Sequence, residues 1–328
     1  MKDLKGFKIL EFSDVQDELE YVHKHGYDSG MYVGFPRFHE HYSMLPGSCT
    51  DWTGYPQSGK SELVLELLFN MTDFYGWKHM LFVPDIGKSV EVMIKLIHKE
   101  TGKTFKKKYP NYIDIKTAFN SCSKLVESFK IIHRTDYKQK LSPLDFWEFA
   151  TAYKKEHGLN TAVIDSWKDL HHDYSAHGGN YAPYLSYILP IRNEIAERNG
   201  LHFHTVIHPK NPIRDKNRKI YPPYPDDIEG GAQWNNSGKS MITVHRENFD
   251  SNITDVYFRK IKPESVGRAT NTGVSLEFDI ARSRYYWLNE DHSRVYAEKE
   301  YVAPIFAKPT IQIPDNFYES QREQTTPF

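Results

Sequence analysis

The sequence predicts an α/β fold: a mostly parallel central sheet with helices on both faces, followed by an antiparallel C-terminal extension. Three observations predict it. A glycine-containing loop, Gly54 to Ser61 (GYPQSGKS), stands between a strand-like segment, Ser48 to Thr53, and an apolar helix-like run, Glu62 to Phe69. Downstream, short apolar runs closed by polar residues alternate with helical stretches, the pattern of βα units. From Met241 the texture changes to successive strand-like runs.

Taken in order, Asp14 to His25 gives an amphipathic helix, and residues 1–45 are expected to form an N-terminal helical arm or linker. His79 to Val83 reads as a buried strand closed by Pro84 and Asp85, and a helix is expected from Lys88 to Lys99. Ser142-Pro143-Leu144-Asp145 supplies a capping serine, a proline in the first helical position and a carboxylate three after the cap, so a helix opens there and stops at Gly158. Thr161 to Asp165 (TAVID) is a second buried strand ending on an acid. A helix from Tyr184 to Arg198 ends at Gly200, and the strand His202 to Ile207 delivers His208 at its tip. Pro209 to Gly231 is rich in proline, glycine and charge. Strands are expected at Met241 to His245, Asp255 to Ile261, Val274 to Phe278 and Arg284 to Leu288. The core is expected over residues 46–290, with 291–328 as a C-terminal extension and tail.

Composition bounds the function. A chain of 328 residues that is 39% hydrophobic can bury a sizeable core. Its 42 basic and 43 acidic side chains nearly cancel, so attraction to nucleic acid must come from local patches. Two cysteines, Cys49 and Cys122, make neither a disulfide framework nor a zinc set and favour a reducing compartment. The start of the chain lacks a signal-peptide core and no stretch approaches a membrane span, so a cytoplasmic location without membrane partners is expected.

Gly54 to Ser61 carries the chemistry. Two glycines five positions apart, with Lys60 and Ser61 directly after the second, have the phosphate-binding P-loop spacing. The glycines let backbone N–H groups turn toward phosphate oxygens, the lysine reaches the β- and γ-phosphates, and the serine hydroxyl holds Mg²⁺. The expected nucleotide-binding set is therefore Gly54, Tyr55, Pro56, Gln57, Ser58, Gly59, Lys60, Ser61 and Glu62, with ATP or another NTP and Mg²⁺ as cofactors. Gly238-Lys239-Ser240 repeats the GKS triplet without a glycine five before Gly238 and with a strand after it, which excludes a second P-loop. Asp165 ends a strand as the second P-loop carboxylate does, holding Mg²⁺ through water.

With these pieces placed, Glu18 to Phe278 resembles the hexameric replicative DNA helicases of the DnaB and Twinkle type, here a phage-like helicase domain with a RecA-like core. FVPD (Phe82 to Asp85) resembles the strand carrying that family's catalytic glutamate. VIDSW (Val163 to Trp167) resembles the Mg²⁺-site strand, and VIHPKNP (Val206 to Pro212) the strand whose tip senses the γ-phosphate. DIEGGAQWNNSGKSMITVHRE (Asp227 to Glu247) resembles the DNA-facing loop and its following strand, and RKIKPESVGR (Arg259 to Arg268) the strand with a Lys-x-Arg pair. The resemblance implies catalytic roles for Lys60, Asp85, Asp165, His208, Lys260 and Lys262, the two last acting in trans on a neighbour's nucleotide. It implies a homo-oligomer, a hexameric ring, working on single-stranded DNA with a separate primase, polymerase or loader, in the host cytoplasm if phage-encoded. Lys210, Arg214, Lys216, Arg218 and Lys219 are the expected DNA contacts.

Two positions depart from the family. Its glutamate is Asp85 here, one methylene shorter, and its Lys-x-Arg is Lys260-x-Lys262, unless Arg259 or Arg268 replaces the arginine. A lysine lacks the planar fork that arginine offers to phosphate. The family's amino-terminal primase domain is not expected within residues 1–53. The reading is an ATP-dependent, ring-forming helicase; a RecA-like ATP- and DNA-binding scaffold or recombinase with slow hydrolysis stands as the alternative. His202, His204 and His208 alternate along one strand, but sixteen histidines in the chain make coincidence a better account than a metal site.

Overall fold

The structure, a computed structural model, describes residues 9–136, 138–210, 214, 216 and 220–299. Its helices and strands follow in the order α1 (Phe12–His25), α2 (Pro36–His39), β1 (Cys49–Thr53), α3 (Lys60–Tyr75), β2 (His79–Phe82), α4 (Ser89–Thr101), α5 (Ile115–Ser128), β3 (Phe129–Ile131), α6 (Pro143–His157), β4 (Thr161–Asp165), α7 (Tyr181–Asn199), β5 (His202–Ile207), α8 (Gly231–Ser237), β6 (Ser240–His245), β7 (Ile253–Lys260), β8 (Val274–Asp279), β9 (Arg284–Leu288) and β10 (Arg294–Tyr296).

Among the described residues ten strands form one sheet in the order β10-β9-β8-β7-β6-β1-β5-β4-β2-β3. The strands from β3 to β6 run parallel, and β7 to β10 continue the sheet antiparallel. The parallel strands β1, β4, β5 and β6 are buried along their whole length, because helices cover both faces. One apolar layer joins α3, α4 and α5 to the sheet and the other joins α6, α7 and α8. β1 lies between β5 and β6 at the centre, so the C-terminal ends of β1, β2, β4 and β5 share one edge. In open α/β sheets that edge is where ligands bind.

The sequence signals that set these elements are visible at their ends. Ser142 accepts from the Asp145 amide at 3.1 Å while Asp145 accepts from the Ser142 amide at 3.2 Å, closing the expected capping box of α6. Phe146 and Trp147 of that helix are buried and Phe149 is exposed. α5 and β3 have no counterpart in the sequence reading. The helix carries Ile115, Ala118, Phe119, Cys122, Leu125 and Val126 at helical spacing, a stripe that the sequence reading passed over, and the strand is three residues at the sheet edge, too short to show a period. The stretch expected as a DNA-facing loop contains α8, whose Trp234 is fully buried with its ring 5.1 Å from that of Trp167.

The expected boundaries at residues 45 and 290 fall inside the packed unit. Val33, Phe35, Phe38, Tyr42 and Met44 are buried in the same layer as α3, and β10 extends the sheet past residue 290. By contrast α1 buries none of its residues, and Phe12 and Leu19 are exposed.

A buried ion pair fixes the sheet to α7. Arg192 donates from Nη1 to Asp51 Oδ1 at 2.5 Å and from Nη2 to Oδ2 at 3.1 Å, with both side chains fully buried. Nη1 also reaches Thr205 Oγ1 at 3.1 Å, and Asn193 Nδ2 donates to the Ser237 carbonyl at 2.7 Å. The pair thereby joins β1, β5, α7 and the end of α8. Arg192→Met alone should cost about 3–5 kcal/mol in urea unfolding, because it strands a buried carboxylate, whereas Arg192→Met combined with Asp51→Leu should cost less.

Candidate nucleotide site

The loop after β1 takes a backbone course that its glycines make possible. Gly54 has φ +154°, and a Cβ there would stand 2.1 Å from the Val244 carbonyl oxygen of β6. Gly59, at φ +95°, opens α3, and a Cβ there would stand 2.8 Å from the Tyr285 hydroxyl. Gln57 also adopts a positive φ, +64°, which a non-glycine residue rarely does outside constrained loops. The Ser58 hydroxyl is buried without a hydrogen-bond partner among the described residues. Lys60 donates to the carbonyls of Gly54 at 2.7 Å and Tyr55 at 3.0 Å. Burial lowers its ammonium to about 8, against the pull of Asp165 and Asp85, so it remains mostly cationic at neutral pH.

Four more side chains converge on this loop from neighbouring strand ends. Asp165, at the end of β4 and 2% exposed, is hydrogen-bonded to the Ser61 side chain. Burial pushes its carboxyl up to about 6 despite that bond and the Lys60 charge. Asp85 lies in the short 3₁₀ turn Pro84–Ile86 after β2. Its Oδ2 is 3.0 Å from His208 Nε2 and 3.3 Å from Lys168 Nζ. Burial works to raise the Asp85 carboxyl, and the His208 hydrogen bond with the Lys168 charge overcomes this and holds it below the ordinary carboxylate value. His208, directly after β5, is lowered by burial and by Lys60, with Asp85 opposing.

These groups line a cleft of about 330 Å³, walled by Pro56, Gln57 and Gly59 through Glu62 on one side and by Asp85, Ile86, Lys95, Asp165 and His208 on the other. A curled loop carrying a lysine and a hydroxyl, faced by a buried carboxylate that touches the hydroxyl, fits a polyphosphate with Mg²⁺. The orphaned Ser58 hydroxyl and the two glycine positions without room for a Cβ fit the same group.

Glu62, expected in the nucleotide set, lines the cleft with its carboxylate held by Lys95 and Lys99, each at 2.6 Å. Burial opposes its charge, and Lys99 and Lys95 prevail and take it down to about 2. Lys260 and Lys262 are not brought to this chain's own cleft. Lys260 pairs with Met241 at the start of β6, whose far end adjoins the loop, and its ammonium donates to the Asn235 carbonyl in the last turn of α8. Lys262 is exposed beyond the end of β7. Arg268 is bound to Glu40 at 2.5 Å, and Arg259 is stacked between Tyr224 and Tyr257.

Lys210, Arg214 and Lys216 are exposed in the segment after His208, while Arg218 and Lys219 lie outside the described residues. His202 and His204 are buried core residues: His202 contacts Thr50 Oγ1 at 2.8 Å and the Leu45 carbonyl at 2.7 Å, and His204 Nδ1 accepts from Trp52 Nε1 at 3.1 Å. Sequence reasoning missed Lys168 and Lys95. Neither belongs to a motif; each reaches the cleft only through folding.

No family model matches the chain. It is 27% identical over 273 residues to the Twinkle homolog protein, chloroplastic/mitochondrial, of Arabidopsis thaliana, a match covering 79% of this chain and 37% of that protein. The chain thus spans little more than a third of that relative. Among solved structures it superposes on an ATPase domain with a TM-score of 0.65 at 14% identity, covering 85% of this chain and 99% of that one. The fold is RecA-like. A DnaB-like replicative helicase, solved in a study of its interactions with primase, gives a TM-score of 0.64 at 16% identity over 85% of this chain and 67% of that one.

Gly54→Ala should force β1 and β6 apart at the loop and destabilise the protein by about 1–3 kcal/mol, the scale of a strained backbone position. Denaturant unfolding of the variant checks this.

Proposed function

We propose that this chain is the motor of a replicative DNA helicase, a Mg²⁺-dependent ATPase that moves on single-stranded DNA as a hexameric ring. The observation that carries the reading is the Asp85–His208 contact. It joins Asp85, the carboxylate proposed to orient water, to the strand end from which the basic segment Lys210 to Lys219 departs. The similarity to the Twinkle homolog, to the DnaB-like replicative helicase and to the solved ATPase domain supports it.

In this reading Lys60 and the loop amides bind the β- and γ-phosphates, and Ser61 with Asp165 holds Mg²⁺, Asp165 through water. Mg²⁺, when bound, offsets charge on the phosphates. Asp85 orients the attacking water and accepts its proton. His208 responds to the γ-phosphate and passes its state to the segment that grips DNA, whose phosphates Lys210, Arg214, Lys216, Arg218 and Lys219 contact. Lys260 and Lys262, at the opposite end of β6 and β7 from their own loop, act on a neighbour's nucleotide, which requires a closed or helical assembly. A primase, loader or polymerase is the expected separate partner. No helix among the described residues is long and apolar enough to cross a membrane, and the proposed place of action is the cytoplasm, that of the host if the protein is phage-encoded.

The second reading is a nucleotide- and DNA-binding scaffold or recombinase with slow hydrolysis. Asp85, shorter than glutamate, and Lys262, without arginine's fork, favour it.

Steady-state ATPase with and without single-stranded DNA, together with strand displacement, decides between them. The motor reading expects DNA-stimulated turnover that Lys60→Ala abolishes with the fold intact; turnover unchanged in that variant would remove the assignment. Alanine at Lys210, Arg214, Lys216, Arg218 and Lys219 should weaken single-strand binding. Each lost phosphate contact should lower the slope of log affinity against log salt by about 0.7. An unaltered slope in a binding titration would take these residues out of the DNA interface.

A further inference from the structure

Lys168 has no role in the motif set, yet it is the only lysine among the described residues in contact with Asp85. It sits in the 3₁₀ turn Trp167–Asp169 just beyond β4. The backbone of that turn is held on both sides. Ser166 Oγ donates to Asp169 Oδ2 at 2.9 Å, the Trp167 indole donates to the Tyr181 hydroxyl at 3.1 Å, and the Trp167 carbonyl lies 2.9 Å from His172 Nε2. Trp167 itself is buried against Trp147 and Trp234. The start of the Lys168 side chain is therefore fixed, while its 59% exposed side chain extends to Asp85.

Both partners of Asp85, Lys168 Nζ at 3.3 Å and His208 Nε2 at 3.0 Å, use Oδ2. Among the described residues no hydrogen bond uses Oδ1. We propose that Lys168 is a positioning residue for Asp85: with His208 it turns the carboxylate so that Oδ1 faces the attacking water. The proposal rests on the hydrolase reading above. In the step concerned, the water oxygen forms a bond to the γ-phosphorus and the bond from that phosphorus to the β–γ bridging oxygen breaks. The electron pair leaves with the nucleoside diphosphate, and the water proton passes to Asp85. A carboxylate one methylene shorter than glutamate depends on such contacts, because an ångström of misplacement can cost about a hundredfold in rate.

The charged groups facing Asp85 are Lys168 and His208 in contact and Lys60 and Asp165 across the cleft. Lys168 and His208 both favour the carboxylate form. The rate supported by a base falls as pH drops through its pKa, and removing Lys168 raises that pKa. The acid limb of the pH–rate profile should thus move to higher pH.

The test uses the full chain with saturating ATP and Mg²⁺. Lys168→Ala should lower kcat about tenfold or more while KM stays within about threefold, the pattern of an interaction that acts on the chemical step. Its acid limb should shift upward, and Lys168→Arg should restore most of the rate. In an Asp85→Asn background, Lys168→Ala should cost nothing further, since the two act as a unit. Melting temperature checks that the exposed truncation leaves the fold intact. An unchanged kcat, a loss equally large in Asp85→Asn, or a raised KM with kcat unchanged would overturn the proposal, the last by making Lys168 a ground-state phosphate contact. If wild type shows Lys60-dependent turnover and Lys168→Ala matches it, only this inference falls. If wild type shows no Lys60-dependent turnover, the hydrolase reading falls and takes this inference with it.

Discussion

Everything at the cleft depends on β1 being unable to move. It is hydrogen-bonded on both edges, to β5 and to β6, and every one of its residues is buried. Its two faces are anchored by different chemistry. Asp51 is held by the Arg192 fork, and Trp52 packs beside Tyr42 and His204. Such a pair contributes little net stability over an apolar replacement, because two desolvated charges offset most of their own attraction. What it contributes is place: a guanidinium fork satisfies a carboxylate in one orientation, so α7 and β1 have one register. A loop whose work is to present backbone amides at fixed angles needs that kind of root.

A second charge cluster fixes the other side of the loop. Lys99 of α4, fully buried, contacts Glu62 at 2.6 Å and Glu66 at 2.9 Å on α3, and Arg284 of β9 donates to Glu66 at 2.6 Å and to Asn70 at 2.9 Å. Burial alone would discharge Lys99; the two glutamates overcome it and hold the ammonium above its ordinary value. The antiparallel half of the sheet therefore serves the parallel half. Through Arg284 it grips α3, and its Tyr285 hydroxyl stands against Gly59, where α3 begins. The helix that opens at the phosphate loop is clamped between α4 and β9.

Much of this was legible in the sequence where function and structure are both local. The phosphate loop needs its glycines, lysine and serine in a fixed order, and a strand closed by Asp165 or a helix opened by Ser142 declares itself within a few residues. Contacts made between distant segments were not legible. Nothing near Lys168 says that it will meet Asp85. Nothing near Glu62 says that Lys95 and Lys99 will hold its carboxylate where it lines the cleft. Residues 31–45 read as an arm because Val33, Phe35, Phe38 and Tyr42 follow neither a helical nor a strand period; they are buried one by one against α3 and β7. α5 is a different case: its apolar residues Ile115, Ala118, Phe119, Cys122, Leu125 and Val126 follow a helical period that the sequence reading passed over, and Ile115, Phe119 and Val126 of that stripe stay exposed.

The two departures from the helicase pattern lie at opposite ends of the sheet, and the structure treats them differently. Asp85 is surrounded by compensation: His208 and Lys168 hold one of its oxygens, and its carboxyl stays ionised despite partial burial. Lys262 is exposed with no comparable support among the described residues, while its neighbour Lys260 is already engaged with the carbonyls that end α8. On the proposed reading, a charge needed only when a second subunit arrives gains nothing from being ordered in one subunit, whereas a base that would face water in every turnover does. Lys260's engagement is therefore the informative feature of this end. It couples the strand that would face a neighbour to α8, and α8 in turn to Arg192 through Asn193 and Trp234. A shift of Lys260 toward a neighbouring nucleotide would release the end of α8, so that the same side chain cannot serve both partners at once.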